Sequence, residues 1–198
     1  MSKFKNWVRV RGARDLLPAS ESRRSLLRGL LAVSMGGLSL RAVGASISGG
    51  LEQFYKFNIK PEVFLAEVFG PDVPVAQTMV VNGSIPSMIQ PLPQRIRYWR
   101  ANGRTAWIFD ELGKEGYLPT TCGFVVRDDA IEQAKVLIYR ESRGEQVGQP
   151  SFLQQLVGAK VVGDSLTASV DNISGATYSV KMMQRMARTA LVLDQRAA

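Results

Sequence analysis

The 198-residue chain contains no histidine and a single cysteine, Cys122. The absence of histidine excludes Ser-His-Asp and Cys-His catalytic sites, histidine-ligated zinc and histidine-ligated haem. With one cysteine the chain also lacks an intramolecular disulfide, a CxxC redox pair and a cysteine-ligated iron–sulfur cluster. Any redox chemistry therefore requires a cofactor that is bound in another way.

The net charge of +8 is concentrated at the start of the chain. Residues 1–45 contain nine Lys or Arg and two Asp or Glu, a net charge of +7, whereas residues 46–198 have a net charge of +1. A nearly neutral body lacks the clustered basic face that binding to a phosphate backbone needs. The sequence therefore argues against nucleic acid as a partner.

Residues 1–45 have the three-part pattern of an export signal. Arg23 and Arg24 precede an uncharged run of twelve residues over 29–40, and the small residues Val43-Gly44-Ala45 follow it. A helix of that length spans about 18 Å, whereas a hydrocarbon core is about 30 Å thick. We therefore expect a twin-arginine-like signal peptide that directs the protein to the periplasm. A leader retained as a membrane anchor, or a basic amphipathic helix on a cytoplasmic protein, are the alternatives.

The body of the chain predicts an α+β fold in which helices pack on a small antiparallel sheet. Proline and glycine predict a helix over 61–70, and the Asn102-Gly103 pair predicts a tight turn between two strands. Two further strands are predicted to meet near Asp128-Asp129. This order of elements is typical of one mixed domain, with residues 46–92 as its N-terminal extension.

A final helix is predicted over residues 176–195, because apolar side chains recur at intervals of three to four residues. The recurring side chains are Val180, Met182, Met183, Met186, Ala187, Ala190 and Leu193. Several methionines in such a stripe favour core packing over metal binding. We expect a short helix after Pro150 and the apolar strand around Cys122 to belong to the same core.

The segment most suggestive of chemistry reads Asp-Asn-Ile-Ser-Gly-Ala-Thr over residues 171–177. Ser174 suits the N-cap of the final helix, and the small Gly175 and Ala176 would allow a bulky group to approach the backbone. Thr177 would then lie in the first helical turn, where free N–H groups and the helix dipole favour a phosphate. A threonine hydroxyl at this place is suited to carry a phosphate ester.

This segment resembles the D-x-x-[S/T]-G-A-[T/S] motif of FMN-binding domains that are flavinylated on the last residue. Such domains occur in the covalent-flavin subunits of the sodium-pumping NADH:quinone oxidoreductase and of the Rnf complex. The resemblance covers about residues 93–192, so residues 93–198 would form the FMN-binding domain. It implies that a periplasmic flavin transferase, using FAD and a divalent metal, joins the phosphate of FMN to Thr177. The implied recognition and phosphate-site residues are Asp171, Ser174, Gly175 and Ala176.

A second block resembles the strand, glycine turn and short helix that precede the attachment motif in this family. The resemblance places a turn near the flavin ring and one aromatic residue in the helix after it: Glu141, Ser142, Arg143, Gly144 and Phe152. A cation such as Arg143 beside the ring would raise the flavin potential, the alternative being a solvated arginine. Tyr117, Tyr178 and Phe152 are candidates to stack on the ring, with core packing as the alternative for each.

The sequence thus predicts an exported flavoprotein electron carrier with FMN covalently attached at Thr177. Its redox partner would be a membrane protein that carries haem or is linked to quinone. No residue is marked out for substrate chemistry, which favours a carrier over a stand-alone enzyme. Two alternatives stay open: a non-redox exported binding module, in which the motif only caps a helix, and a flavin-dependent reductase of a small substrate.

Overall fold

The computed structural model describes residues 56–83, 85 and 88–198. The predicted signal peptide and its cleavage site, residues 1–45, lie outside the described residues. All described residues belong to one compact unit, Ala45–Ala198.

Five antiparallel strands form the main sheet, and their spatial order follows their order along the chain. They are β1 (Gln77–Val80), β2 (Arg95–Ala101), β3 (Arg104–Glu111), β4 (Thr120–Arg127) and β5 (Ala130–Ile138).

The predicted tight turn at Asn102-Gly103 and the predicted meeting of two strands near Asp128-Asp129 are both confirmed. Asn102 and Gly103 join β2 to β3 with φ of 53° and 72°, and Asp128 and Asp129 join β4 to β5 with φ of 51° and 59°. Positive φ at both central residues matches the twist of the flanking strands.

The helices and a small hairpin complete the fold. They are α1 (Pro61–Phe69), a 3₁₀ turn (Glu145–Gly148), α2 (Pro150–Leu153), a second 3₁₀ turn (Gln154–Leu156), the hairpin of β6 (Val161–Val162) and β7 (Ser165–Leu166), and α3 (Thr177–Ala197). The expected α+β architecture, an antiparallel sheet packed by helices, is confirmed. None of the helices in the described part of the chain is both long and apolar enough to span a membrane.

Alternation along the strands gives the sheet two apolar faces. One face packs against α3, whose buried methionine stripe is confirmed as core; this cluster includes Met182, Met183, Met186, Leu193, Trp107, Phe124 and Val136. The other face packs against α1, through Phe64, Leu65, Val68, Ala106, Val125 and Leu137. A Cβ on Gly123 would lie 2.5 Å from the Phe64 ring, so the strand must carry glycine there.

The strands also determine which loops meet at the start of α3. Glu111 at the end of β3 pairs with Thr120 at the start of β4, and Thr121 pairs with Ile138 at the end of β5. The β3–β4 loop, residues 112–119, and the segment after β5 therefore leave the sheet at the same end. Both of these segments contact the first turn of α3.

Candidate functional site

Thr177 is the first residue of α3, and its side chain is exposed. The first hydrogen bond of the helix is donated by the Val180 amide to the Ala176 carbonyl, at 3.0 Å. The amides of residues 177–179 come before this hydrogen bond, so no carbonyl within the helix accepts from them. A hydroxyl therefore lies at the positive end of a 21-residue helix.

The predicted N-cap role of Ser174 is wrong. Ala176 occupies the N-cap position, with no side-chain hydrogen bond to the helix. A separate turn precedes the helix, closed by the Ala176 amide bonding to the Ile173 carbonyl at 2.9 Å, and Ser174 lies within that turn. Gly175 follows with φ of 79° and no atom within 4 Å of its Cβ position, so space remains open beside the turn.

The turn after β5 contacts the first turn of α3 through Tyr139. The Tyr139 hydroxyl donates to the Arg143 carbonyl at 2.6 Å and shares a 2.9 Å hydrogen bond with the Ser179 hydroxyl. Gly144, with φ of 90°, packs so tightly here that a Cβ would lie 2.2 Å from the Ser179 Oγ. The two blocks that the sequence singled out therefore meet in space.

The β3–β4 loop contacts the same helical turn through aromatic side chains. The rings of Tyr117 and Tyr178 lie edge to face, with centroids 6.2 Å apart, and the Lys114 Nζ lies 5.3 Å from the Tyr178 ring centroid. Gly113 is buried, and its Cβ position is 3.9 Å from the Tyr178 backbone. Tyr117 and Tyr178 are 42% and 49% exposed, so the core-packing alternative is wrong for both.

The remaining predicted site residues differ in exposure. Phe152 is 3% exposed and belongs to the core, as its alternative expected. Ser142 and Arg143 are exposed, and Glu141 is partly buried. Asp171 is exposed, and its amide donates to the Gln155 Oε1 at 2.8 Å, which ties the start of the 171–177 segment to the segment after α2.

Burial sets the protonation behaviour of several groups around the site. Burial raises the pKa of Tyr139 to about 12. Burial also raises the pKa of Glu141, and a backbone hydrogen bond from Leu118 partly offsets this increase. A hydrogen bond from Lys56 lowers the pKa of Glu145. Cys122 is fully buried, which confirms its packing role and raises the pKa of its thiol.

Sequence analysis missed two charged residues that support the site, Glu111 and Arg185. Glu111 is fully buried at the end of β3, and Arg185 lies on α3 and donates to the Leu112 carbonyl at 2.6 Å. Glu111 follows Trp107 and Phe109 at alternate positions of β3. This period-two alternation is the signal that places its carboxylate on the face of the sheet that packs against α3.

The start of α3 combines a hydroxyl, helix-end amides and exposed rings in one place. Within the described ranges, no group of three or more Cys, Asp or Glu side chains is placed to hold a metal ion. The site offers the exposed Thr177 hydroxyl, amides of a helix end, open space beside Gly175 and two exposed tyrosine rings. These features fit a cofactor that joins a phosphate to a planar ring.

Comparison with known families agrees with this geometry. Residues 113–192 match the family model described as FMN-binding domain, which confirms the prediction of such a domain. The matched segment contains the β3–β4 loop from Gly113, the turn at Gly144 and the first turn of α3. No curated protein and no solved structure matches the chain significantly.

Proposed function

The chain carries an FMN-binding domain over residues 113–192, and from this premise we propose that it is an exported electron carrier with FMN covalently attached to Thr177. The observation that carries the proposal is the exposed Thr177 hydroxyl at the first position of a 21-residue helix. The helix dipole and the free amides at that position stabilise a phosphate group. When bound, FMN supplies reversible electron transfer.

Attachment requires the Thr177 hydroxyl to act as the acceptor in a phosphoryl transfer from FAD. The threonine oxygen forms a bond to the phosphorus of the FMN half, the bond to AMP breaks, and the hydroxyl proton is released. A flavin transferase with a divalent metal would perform this step. The linking phosphate keeps a negative charge, which the amides of residues 177–179 are placed to stabilise.

The contacts around α3 suggest which residues hold each part of the cofactor. Around the phosphate we place the turn that precedes the helix, with Asp171, Ser174, Gly175 and Ala176. Beside the ring we place the exposed Tyr178 and the turn with Glu141, Ser142, Arg143 and Gly144. Phe152, which the resemblance places near the ring, would not contact it, because its side chain is buried in the core.

A carrier role is supported by the exposure of the site. Tyr117, Leu118 and Tyr178 are 42%, 57% and 49% exposed, so a cofactor beside them would be open to a partner protein. We expect that partner to be a membrane redox protein with haem or a link to quinone, reached in the periplasm after export.

The attachment site can be tested by intact-protein mass after co-expression with a flavin transferase. We expect wild type and Thr177→Ser to gain the mass of one esterified FMN under denaturing conditions, and Thr177→Ala to gain none. Ser169→Ala is the matched control, since it removes an exposed hydroxyl outside the motif, and it should still gain the mass. A gain on Thr177→Ala but not on Ser174→Ala would move the attachment to Ser174.

The carrier role needs a separate measurement on the flavinylated protein. We expect reduced protein to be reoxidised by membranes that contain a haem or quinone partner, and not to turn over soluble substrates alone. Turnover of a small soluble substrate without membranes would instead indicate a reductase. Absence of any bound flavin in wild type would indicate a non-redox binding module.

A further inference from the structure

Glu111 is a fully buried carboxylate that binds backbone amides from two segments. Its Oε1 accepts hydrogen bonds from the amide of Leu112 at 2.8 Å and from the amides of Ile89 and Gln90 at 3.2 Å each. Leu112 begins the β3–β4 loop, whose tyrosine contacts the first turn of α3. The carboxylate therefore fixes the point at which this loop leaves the sheet.

Arg185 attaches the same point to α3. Its Nη2 donates to the Leu112 carbonyl at 2.6 Å and lies 3.8 Å from the Glu111 Oε1. Both backbone groups of Leu112 are thus bound by charged side chains, the amide by Glu111 and the carbonyl by Arg185. Because Arg185 lies on α3, the loop and the helix that carries Thr177 are joined directly.

A contribution to the stability of the fold does not by itself explain the Glu111–Arg185 pair. The Glu111 Oε2 and the Arg185 Nε are buried without a hydrogen-bond partner among the described residues. A buried ion pair with unpaired polar atoms is often no more stable than apolar residues of similar size. The geometry that the pair imposes on the loop is the better explanation for it.

That geometry determines where the tyrosines lie. Beyond Leu112, Gly113 packs against the Tyr178 backbone, and the Tyr117 amide bonds to the Lys114 carbonyl at 3.0 Å, closing a turn. This turn places the Tyr117 ring 6.2 Å from the Tyr178 ring. A shift at Leu112 would move Tyr117 away from the helical turn that begins at Thr177.

We propose that Glu111 and Arg185 are positioning residues that hold the β3–β4 loop against α3 and so fix the Tyr117–Tyr178 pair beside the cofactor. The link to the cofactor rests on the proposed attachment of FMN at Thr177. The link between the pair and the loop rests on the contacts above alone.

The test uses amide hydrogen exchange on the full chain without flavin, followed by flavin fluorescence on the loaded protein. In Arg185→Met we expect exchange at residues 112–117 to accelerate about tenfold, the factor that corresponds to one lost hydrogen bond. Arg100→Met is the matched control, because Arg100 binds Asp194 and the Ala197 carbonyl at the other end of α3. This control should leave residues 112–117 unchanged.

Glu111→Ala and Glu111→Gln separate charge from hydrogen bonding. Glu111→Ala should accelerate exchange at residues 89–90 as well as at 112–117, whereas Glu111→Gln keeps an acceptor oxygen and should restore most of the protection. In loaded protein we expect Arg185→Met to raise the flavin fluorescence, because an aromatic ring near a flavin quenches it, and to change the midpoint potential.

Each outcome decides one part of the proposal. Unchanged exchange at residues 112–117 in Arg185→Met overturns the positioning role. Faster exchange with unchanged fluorescence and midpoint potential overturns the link between the loop and the cofactor. If wild type gains no FMN mass, the proposed function fails, while the exchange data still decide whether the pair holds the loop.

Discussion

Gly144 and Ser179 approach each other so closely that a Cβ on Gly144 would lie 2.2 Å from the Ser179 Oγ. The same Cβ would lie 2.8 Å from the Tyr139 hydroxyl, which binds Ser179 at 2.9 Å. One glycine thus allows the turn after β5 to reach the helical turn that begins at Thr177. The shape of the candidate site depends on this approach.

Gly144→Ala is expected to destabilise the protein by about 2–5 kcal/mol. Alanine would have to adopt a left-handed backbone conformation, and its Cβ would overlap with Ser179. Gly158→Ala is the matched control, because Gly158 also has positive φ, 81°, but nothing lies within 4 Å of its Cβ position. The control should lose only about 1–2 kcal/mol. Urea unfolding of the two variants measures the difference, and equal losses would show that the Ser179 contact imposes no constraint.

Tyr139→Phe removes the buried hydroxyl that joins Arg143 to Ser179. Loss of these hydrogen bonds is expected to cost about 1–3 kcal/mol in urea unfolding at neutral pH. Tyr117→Phe, which removes the hydroxyl of an exposed tyrosine, should cost much less. A Tyr139→Phe protein as stable as wild type would contradict the structural role of this hydroxyl.

The same tyrosine predicts how stability changes at alkaline pH. Burial raises the pKa of Tyr139 from 10.0 to about 12, so the folded protein holds the phenol proton more tightly than the unfolded chain does. The stability that this phenol contributes to the folded protein is fully present below about pH 10 and is lost as pH rises towards about 12. The free energy of unfolding should therefore fall less steeply over that interval in Tyr139→Phe than in wild type.

Glu132 predicts the opposite dependence at acidic pH. Hydrogen bonds from Arg104 at 2.6 and 2.8 Å lower the pKa of the Glu132 carboxyl in the folded state. The contribution is fully present above the unfolded pKa, near the ordinary 4.5, and is lost as pH falls through the lower folded pKa. Glu132→Gln should be less stable than wild type by about 1 kcal/mol or less at neutral pH.

The difference between wild type and Glu132→Gln should shrink as the pH falls below the ordinary pKa of the carboxyl, measured by urea unfolding at several pH values. Glu67→Gln is the control, since Glu67 is 44% exposed and its pair with Lys135 is more open to solvent. A constant difference between wild type and Glu132→Gln at all pH values would contradict the lowered pKa.

Local chemistry was sufficient to predict much of the fold. The Asn102-Gly103 turn follows from residues that accept positive φ, and α3 follows from a regular apolar stripe. The position of Ser174 relative to the helix did not follow in the same way. A cap depends on the residue at which the helix begins, and the extra turn closed by Ala176 moved that point beyond the range of Ser174.

Periodic patterns in the sequence do not predict contacts between segments that lie far apart along the chain. Ser179 and Tyr139 are 40 residues apart, and nothing in either segment indicates the other. Tyr117 and Tyr178 lie in a loop and at a helix start, where no periodic pattern separates an exposed ring from a buried one. Glu111 was predictable only from the alternation of its own strand.

The contrast between Phe152 and Tyr178 tests which aromatic residue serves the cofactor. Phe152 is 3% exposed, so Phe152→Ala is expected to cost about 3–5 kcal/mol in urea unfolding. Tyr178 is 49% exposed, so Tyr178→Leu should change stability by about 0.5 kcal/mol or less. The volume-conserving Phe152→Leu is the fair comparison for effects on the flavin, because it keeps the core filled.

In flavinylated protein we expect Tyr178→Leu to alter the visible absorbance and raise the fluorescence of FMN, and Phe152→Leu to alter neither. A spectral change in Phe152→Leu at unchanged stability would instead mean that the ring reaches into the core beside α2. That result would contradict the placement of the cofactor at the exposed tyrosines. It would also remove the reason to expect a partner protein to approach from the Tyr117–Tyr178 side.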